Sequence, residues 1–333
     1  MHSPGPLVGL IRNPLSHRNA ARSGRPESMP GLIVRVPRSH EELREALAEL
    51  AARRVEYLAV EGGDGTMRDV LSCGADIFGE SWPAVIVLPR GKTNALAVDI
   101  GLPRDWSLAR GLEAAREGEQ VIRRPLRIVA QDAAQSAGPT PQDTALRNAL
   151  RDCIQGFFLG AGAFTRGTHE GQAVHRLALF DSLAVAVIVL WSVLQIVFGG
   201  TANRWRRTTP MQLRHLPDGT DLPHGGIGNP DERFLMVATA YRRFPLGARP
   251  FGRNPGPGLK LGLIDWPRRW LLALLPLIVF GFHPHALARF GMHRLRAEAI
   301  EMEIGDSFIV DGETFPPGRY LLSEGPPMRF VVP

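Results

Sequence analysis

Short apolar runs alternate with segments of helical period through the first third of the chain. Leu7 to Ile11 reads as a strand that ends at Asn13-Pro14, and Gly31 to Pro37 as a second strand. "SHEELREALAELAARR" then has Ser39 as N-cap, Glu42 in the capping-box position and leucines at 43, 47 and 50 on one helical face. "VEYLAVEGGDGT" predicts a strand and a glycine turn, "TMRDVLSCGADIF" a helix, "PAVIVLPRGKTN" another strand and turn, and "ALAVDIGL" a helix start. Apolar strands alternating with amphipathic helices predict a parallel α/β sheet. The working loops of such a sheet lie at the carboxyl ends of its strands. Three turns fall there: Asn13 to Asn19, Gly62 to Thr66, and Pro89 to Asn94.

After "VIRRPLRIVA" the period changes. Gln131 to Asp143 is rich in small residues and proline, which predicts a flexible loop. Short strands follow: "CIQGFFLGAGAF", "RFLMVATAY", "LKLGLID", "AIEMEIG", "SFIVDGETF" and "RYLLSEG". This half predicts an antiparallel β-sandwich with an apolar helix inserted near 183–198. The chain thus divides into an α/β unit over 1–125, completed by 319–333, and a sandwich unit over 126–318. No internal repeat is visible.

Two apolar stretches bear on location. Ser182 to Asn203 carries no charge over 22 residues, but its apolar core stops short of the roughly 20 residues of a spanning helix. Trp270 to Phe282 is shorter and holds Pro276. Both read as core or membrane-facing helices, flanked by Arg204, Arg206 and Arg207, and by Arg268 and Arg269. The start, "MHSPGPLVGLIRNP", lacks the apolar core of a signal peptide. Only Cys73 and Cys153 are present, so neither a disulfide framework nor a cysteine zinc site is indicated. The chain reads as cytoplasmic, with peripheral association to the inner face of the membrane.

A net charge of +6 favours anionic partners such as phosphates, nucleotides or an acidic membrane surface. The arginines are scattered and no basic stripe with stacking aromatics appears, so a nucleic-acid binder is disfavoured.

The glycine turns narrow the chemistry. At the end of a parallel strand and before a helix, Gly62-Gly63-Asp64-Gly65-Thr66 offers main-chain N–H groups that favour anionic oxygens. Asp64 repels phosphate unless a cation lies between them, and Mg²⁺ would resolve that conflict. Read blandly, this is a strand–helix turn with Thr66 as N-cap. In the second turn Lys92 supplies charge, Thr93 a hydroxyl, and Asn94 a cap or a base contact. The spacing matches neither a P-loop nor a protein-kinase glycine loop. "IVDGET" taken alone is a two-residue hairpin turning at Asp311-Gly312. "HPH" at 283–285 lacks a third metal ligand at sensible spacing, and "GAGAFTRG" (Gly160 to Gly167) reads equally as a phosphate loop or as strand-end packing.

"NPLS" at 13–16, "GGDGT" at 62–66, "PRGKTNALAVDIGLP" at 89–103 and "DGE" at 311–313 together resemble the diacylglycerol kinase catalytic-domain family, in its bacterial lipid kinase branch. "GGDGT" is shared with NAD kinases and, more loosely, with phosphofructokinases. The resemblance implies a nucleotide-binding α/β domain followed by a β-sandwich domain, with transfer of the ATP γ-phosphate to a lipid hydroxyl in the presence of Mg²⁺. Carried onto this sequence, it places Asn13, Gly62, Gly63, Asp64, Gly65, Thr66, Gly91, Lys92, Thr93 and Asn94 at ATP. Asp64 would act through the metal, and Glu313 falls on the general base that takes the proton of a lipid alcohol.

The chain departs from the family pattern at His17, Lys92 and Arg68-Asp69, and where many members carry a metal-binding Asp-Gly element it reads "NPGPGLKLGLID". The expected activity is an ATP-dependent lipid kinase acting on a diacylglycerol-like or sphingoid acceptor. A catalytically impaired nucleotide- or lipid-binding regulator of the same fold, and an NAD kinase, are the alternatives. The lipid, and whether the chain is a monomer or a homodimer, stay open.

Overall fold

The computed structural model describes residues 6–14, 16, 29–103, 105–131, 153–167, 206–252, 256, 258–282 and 284–333. The apolar helix expected near 183–198, the loop from 132 onward, His17, Asn19, Arg204 and His283 lie outside the described residues.

The first sheet holds β1 (Val8–Arg12), β2 (Leu32–Arg35), β3 (Tyr57–Gly62), β4 (Ala84–Pro89), β5 (Gln120–Arg123) and β18 (Met328–Val331), in the order β2-β1-β3-β4-β18-β5. Its first four strands pair in parallel, and β18 pairs in parallel with β4 but antiparallel with β5. Helices α1 (His40–Ala52), α2 (Asp64–Phe78), α3 (Ala95–Ile100) and α4 (Leu108–Glu117) connect them. Because strand side chains alternate, one face sends Ile11, Leu58, Val60, Val85 and Val87 against Leu43, Leu47 and Leu50 of α1 and Val70 and Leu71 of α2. The other face sends Val8, Leu10, Ala59, Ile86 and Leu88 against Leu108 and Leu112 of α4. A sheet buried on both faces accounts for the unbroken apolar runs.

Local signals set the ends of α1. Ser39 Oγ accepts from Glu42 N at 3.1 Å, and Glu42 Oε2 in turn accepts from Arg38 N at 2.7 Å, one residue before the position a capping box would use.

Two antiparallel sheets follow. One runs β10-β9-β14-β17-β6-β7, from β6 (Leu126–Ala130), β7 (Cys153–Gly156), β9 (Thr209–Leu216), β10 (Glu232–Arg233), β14 (Ala299–Ile304) and β17 (Gly318–Glu324). The other runs β13-β12-β11-β8-β15-β16, from β8 (Phe158–Gly162), β11 (Leu235–Thr239), β12 (Leu259–Ile264), β13 (Met292–Ala297), β15 (Phe308–Val310) and β16 (Glu313–Phe315). They face one another through the edge-on rings of Phe308 and Tyr320, with centroids 4.9 Å apart. The return to the first sheet, expected over 319–333, is made by β18 alone, because β17 pairs with β14 and β6.

The sandwich abuts the α/β unit along α2. Gln155 N of β7 donates to Ser72 Oγ at 2.9 Å, and that hydroxyl donates on to Gln155 O at 3.3 Å. This seam brings the far end of the chain to the carboxyl edge of the first sheet.

Candidate active site

Three strand ends are tied by one buried carboxylate. Glu61 accepts from Arg12 Nε at 2.5 Å and from Arg90 Nε at 3.1 Å, joining the ends of β1 and β4 to β3. Just beyond, Asn13 Nδ2 donates to Thr66 Oγ1 at 2.8 Å. Thr66 is not the N-cap of α2. The cap is the extended Gly63, so the helix begins at Asp64 and Thr66 stands in its first turn. No side chain caps Gly63, which leaves the first-turn amides to other partners.

The two glycine loops touch backbone to backbone. A Cβ on Gly63 would meet Gly91 Cα at 2.9 Å, and one on Gly91 would meet Gly63 Cα at 2.6 Å. Neither can be replaced without parting the loops. Asn94, in the left-handed region with φ of 50°, closes its own loop: Oδ1 accepts from Gly91 N and Nδ2 donates to Gly91 O, both at 2.8 Å. Its amide therefore neither caps α3 nor reaches out to a base. Lys92 and Thr93 stand exposed at the loop tip.

Asp64 takes the capping role instead. Its Oδ2 accepts from Ala95 N at 3.0 Å and its Oδ1 from Leu96 N at 3.1 Å. Burial pushes its carboxyl pKa upward, and those amides pull it back. Among the described residues no three His, Cys, Asp or Glu side chains are placed to hold a metal ion. Each Asp64 oxygen thus accepts one amide of the neighbouring loop, the arrangement of a helix cap.

The hairpin between β15 and β16 turns in two residues, with Asp311 at φ 41° and Gly312 at φ 88°, as a type I′ turn requires. Asp311 points inward: Oδ2 accepts from Phe157 N at 2.7 Å and Oδ1 from Phe158 N at 3.1 Å. Burial, and then the charge of Asp64, push its pKa up to about 7. The turn lies on the first turn of α2, where a Cβ on Gly65 would sit 3.7 Å from Asp311 O. Arg68 fastens it. Its Nη1 donates to Val310 O at 3.2 Å and to Asp311 O at 3.4 Å, while its Nη2 lies 2.6 Å from Asp69 and 3.6 Å from Glu313 Oε2. Glu313 remains 48% exposed. His40 Nε2 completes the cluster, 3.4 Å from Asp69, and its pKa is raised chiefly by that carboxylate.

A cavity of about 480 Å³ opens beside this cluster, between the ends of β1 and the start of α1. Asn13, Thr66, Asp69, His40, Arg12 and Arg38 supply its polar wall. Its volume suits a nucleotide-sized ligand, and its cationic side chains suit an anionic one. Of the residues singled out in the sequence, Asn13 and Thr66 line this cavity, whereas Gly62–Gly65 and Glu313 do not, Glu313 standing behind Asp69 on the far side of Arg68. Gly91–Asn94 supports the Gly62–Thr66 turn from behind and does not line this cavity.

Glu61 and Asp99 emerge from the structure rather than the sequence, and so do the partners of Arg68 and Asp69, which the sequence marks only as a departure from the family pattern. Asp99 of α3 accepts from Arg242 N at 2.6 Å and Arg243 N at 2.7 Å, and it pairs with Arg123 at 2.6 Å. In "NPGPGLKLGLID", Lys260 is 1% exposed, and its Nζ donates to Gly258 O at 2.9 Å, Ala240 O at 3.4 Å and Gly256 O at 3.5 Å. Burial lowers its pKa to about 8. Gly160 packs under Phe164, whose ring would lie 2.1 Å from a Cβ there, so that glycine serves packing.

Two glycine loops thus meet at the carboxyl edge of the parallel sheet, and a late hairpin lies on the first turn of α2. Residues 18–122 match the diacylglycerol kinase catalytic domain. The matched stretch contains both glycine loops but neither Asn13 nor Glu313. No curated protein matches the chain. Among solved structures, a putative diacylglycerol kinase from Bacillus anthracis str. Sterne aligns over 100% of this chain and 99% of its own, with a TM-score of 0.62 at 14% identity. A second structure, described as a diacylglycerol kinase from the same organism, aligns over 100% and 98%, with a TM-score of 0.58 at 15% identity. At such identity the likeness is one of fold. It extends the diacylglycerol kinase architecture across the sandwich, beyond the matched catalytic domain.

Proposed function

We propose that the chain is an ATP-dependent lipid kinase that transfers the γ-phosphate of ATP to the hydroxyl of a diacylglycerol-like or sphingoid lipid. One observation carries the reading. The Asp311-Gly312-Glu313 turn rests on the first turn of α2, with Arg68 between Glu313 and the glycine loop.

In this reading residues 1–125 with the final strand bind the nucleotide, and the sandwich presents the acceptor. The triphosphate meets the first-turn amides of α2 and the Asn13–Thr66 pair, where the helix dipole favours negative charge. Asp64 and Asn94 hold the two loops in register. Mg²⁺ bound with the nucleotide would supply charge neutralisation at the phosphates, with Asp64 the carboxylate through which the protein would hold it. Glu313, half exposed beside Arg68, accepts the proton of the lipid alcohol as its oxygen attacks the γ-phosphorus and the bond to ADP breaks, because a neutral alcohol is a poor nucleophile. Arg68 orients that carboxylate and anchors its turn.

The test is incubation of the purified protein with Mg²⁺, radiolabelled ATP and a total lipid extract, with products separated by thin-layer chromatography. A labelled lipid is expected, and Glu313→Gln should keep ATP binding while turnover falls by about 10²–10⁴-fold. Absence of label across glycerolipids and sphingoid bases overturns the reading, and ATP binding without transfer points to a regulator.

A further inference from the structure

The chain carries 39 basic and 33 acidic residues, yet five of the six surplus positive charges fall in residues 266–297, which hold five arginines and no carboxylate. Arg268, Arg269, Arg289, Arg294 and Arg296 lie there, between Asp265 and Glu298. The rest of the chain is nearly balanced. A charge so concentrated is a local device rather than a general solubility feature.

The same segment exposes apolar surface. It folds into two short helices, Arg269–Ala273 and Leu275–Val279, broken where Leu274 ends one and begins the other. Their inner sides, Leu271, Leu272 and Ile278, pack with Phe234, Ile264 and Leu287. Their outer sides do not pack away: Trp270 is 41% exposed, Leu277 56% and Phe280 62%. Trp266, Phe282 and Phe290 are exposed as well, and the Phe290 ring meets Trp270 edge-on at 5.0 Å with Arg268 5.8 Å above it. Among the described residues no helix is long and apolar enough to cross a membrane, so this surface can at most lie on one.

Beside it is a pocket of about 220 Å³ lined by Pro284, His285, Leu287, Ala288, Met292 and Arg294. Arg294 is half-buried there, and Nη2 has no hydrogen-bond partner among the described residues. Burial alone lowers its pKa to about 10, with no carboxylate pulling it back. A desolvated guanidinium facing a small pocket is matched by an anionic oxygen group.

We propose that residues 266–282 and 284–294 form an interfacial docking surface for an anionic bilayer, in which Trp270, Leu277 and Phe280 enter the acyl boundary and the Arg294–His285 pocket takes a lipid phosphate. A protein partner would match the apolar side equally well. The one-signed arginine rim and the tryptophans favour the headgroup layer, where amphipathic rings and basic side chains settle. The surface deepens the lipid-kinase reading but needs neither ATP nor turnover.

Flotation of the full chain with phosphatidylcholine vesicles, with and without about one third phosphatidylglycerol, tests it. Binding is expected only with the anionic lipid. Trp270→Ser combined with Phe280→Ser should abolish it. Phe280→Ser with Leu277→Ser, which removes the two most exposed apolar side chains of this surface and leaves the Trp270–Phe290 contact, should weaken it with the thermal unfolding midpoint retained. Arg294→Gln should weaken it roughly fivefold. Failure to float, or flotation undiminished in either double variant, overturns the proposal. Sedimentation of a dimer that these double variants dissolve, with no vesicle binding, replaces it with a self-association surface. Arg294→Gln floating like the parent removes the phosphate pocket. Loss of lipid phosphorylation with flotation intact would count against the kinase reading alone.

Discussion

Arg68 Nη2 lies 3.6 Å from Glu313 Oε2 while Nη1 of the same guanidinium holds the carbonyl oxygens of Val310 and Asp311. One buried side chain on the nucleotide-loop helix therefore fixes both the backbone and the carboxylate of a hairpin more than 240 residues away. Arg68→Lys keeps the charge but loses the planar fork. We expect kcat to fall about tenfold or more with a smaller change in the KM for ATP, since Arg68 reaches the cavity wall only through Asp69. A matched loss in both constants, measured by steady-state kinetics, would make Arg68 a binding residue instead.

Gly91→Ala places a methyl group 2.6 Å from Gly63 Cα, a backbone atom that cannot rotate away. The cost is about 1–3 kcal/mol from overpacking, read by urea unfolding. Nucleotide affinity should fall with it as the two loops part. Gly167→Ala, which meets nothing within 4 Å, is the control and should be silent.

Asp311 predicts a pH dependence of stability. Its folded pKa, about 7, lies above the ordinary carboxylate value because of burial and Asp64. A raised pKa contributes stability that is fully present below the unfolded value and is lost as pH rises through about 7. The stability difference between the parent and Asp311→Asn should thus move against the parent between about pH 4 and 7. Chemical denaturation across that range checks the sign. Asp64→Asn should bring the Asp311 titration down.

His40 predicts the same sign at higher pH. Asp69 raises its pKa, so its stabilising contribution is complete below its ordinary value and disappears as pH rises through the folded one. Two-dimensional NMR should find the His40 titration displaced upward, and Asp69→Asn should return it toward about 6.5. An unshifted midpoint in the parent would rule out the pair.

What the sequence disclosed was what is local. The Ser39 cap, the leucine stripe of α1 and the Asp311-Gly312 turn depend on neighbours within a few positions, so their signals survive in one dimension. Asp64 stood out in the sequence by its place in the glycine turn, but its amide partners belong to the next loop, and only the structure shows the carboxylate acting as a cap. Asp99 reaches Arg242 N across 143 positions, and Arg68 reaches Val310 O across 242. No spacing rule carries such pairings. Asn94, read as a cap or a base contact, is taken up by its own loop because a left-handed residue there turns the amide back on Gly91.

The placement of β18 sets a condition on biosynthesis. This strand lies between β4 and β5, with Phe330 and Val331 wholly out of solvent. A nascent chain that has emerged through β17 still has a vacant slot in its first sheet between β4 and the edge strand β5, lined by unpaired peptide groups and bare apolar side chains. That sheet cannot close during translation, however early its other strands are made. A message truncated before Met328 would therefore yield a product with β4 left as an open strand edge in its first sheet, a template for aggregation or proteolysis.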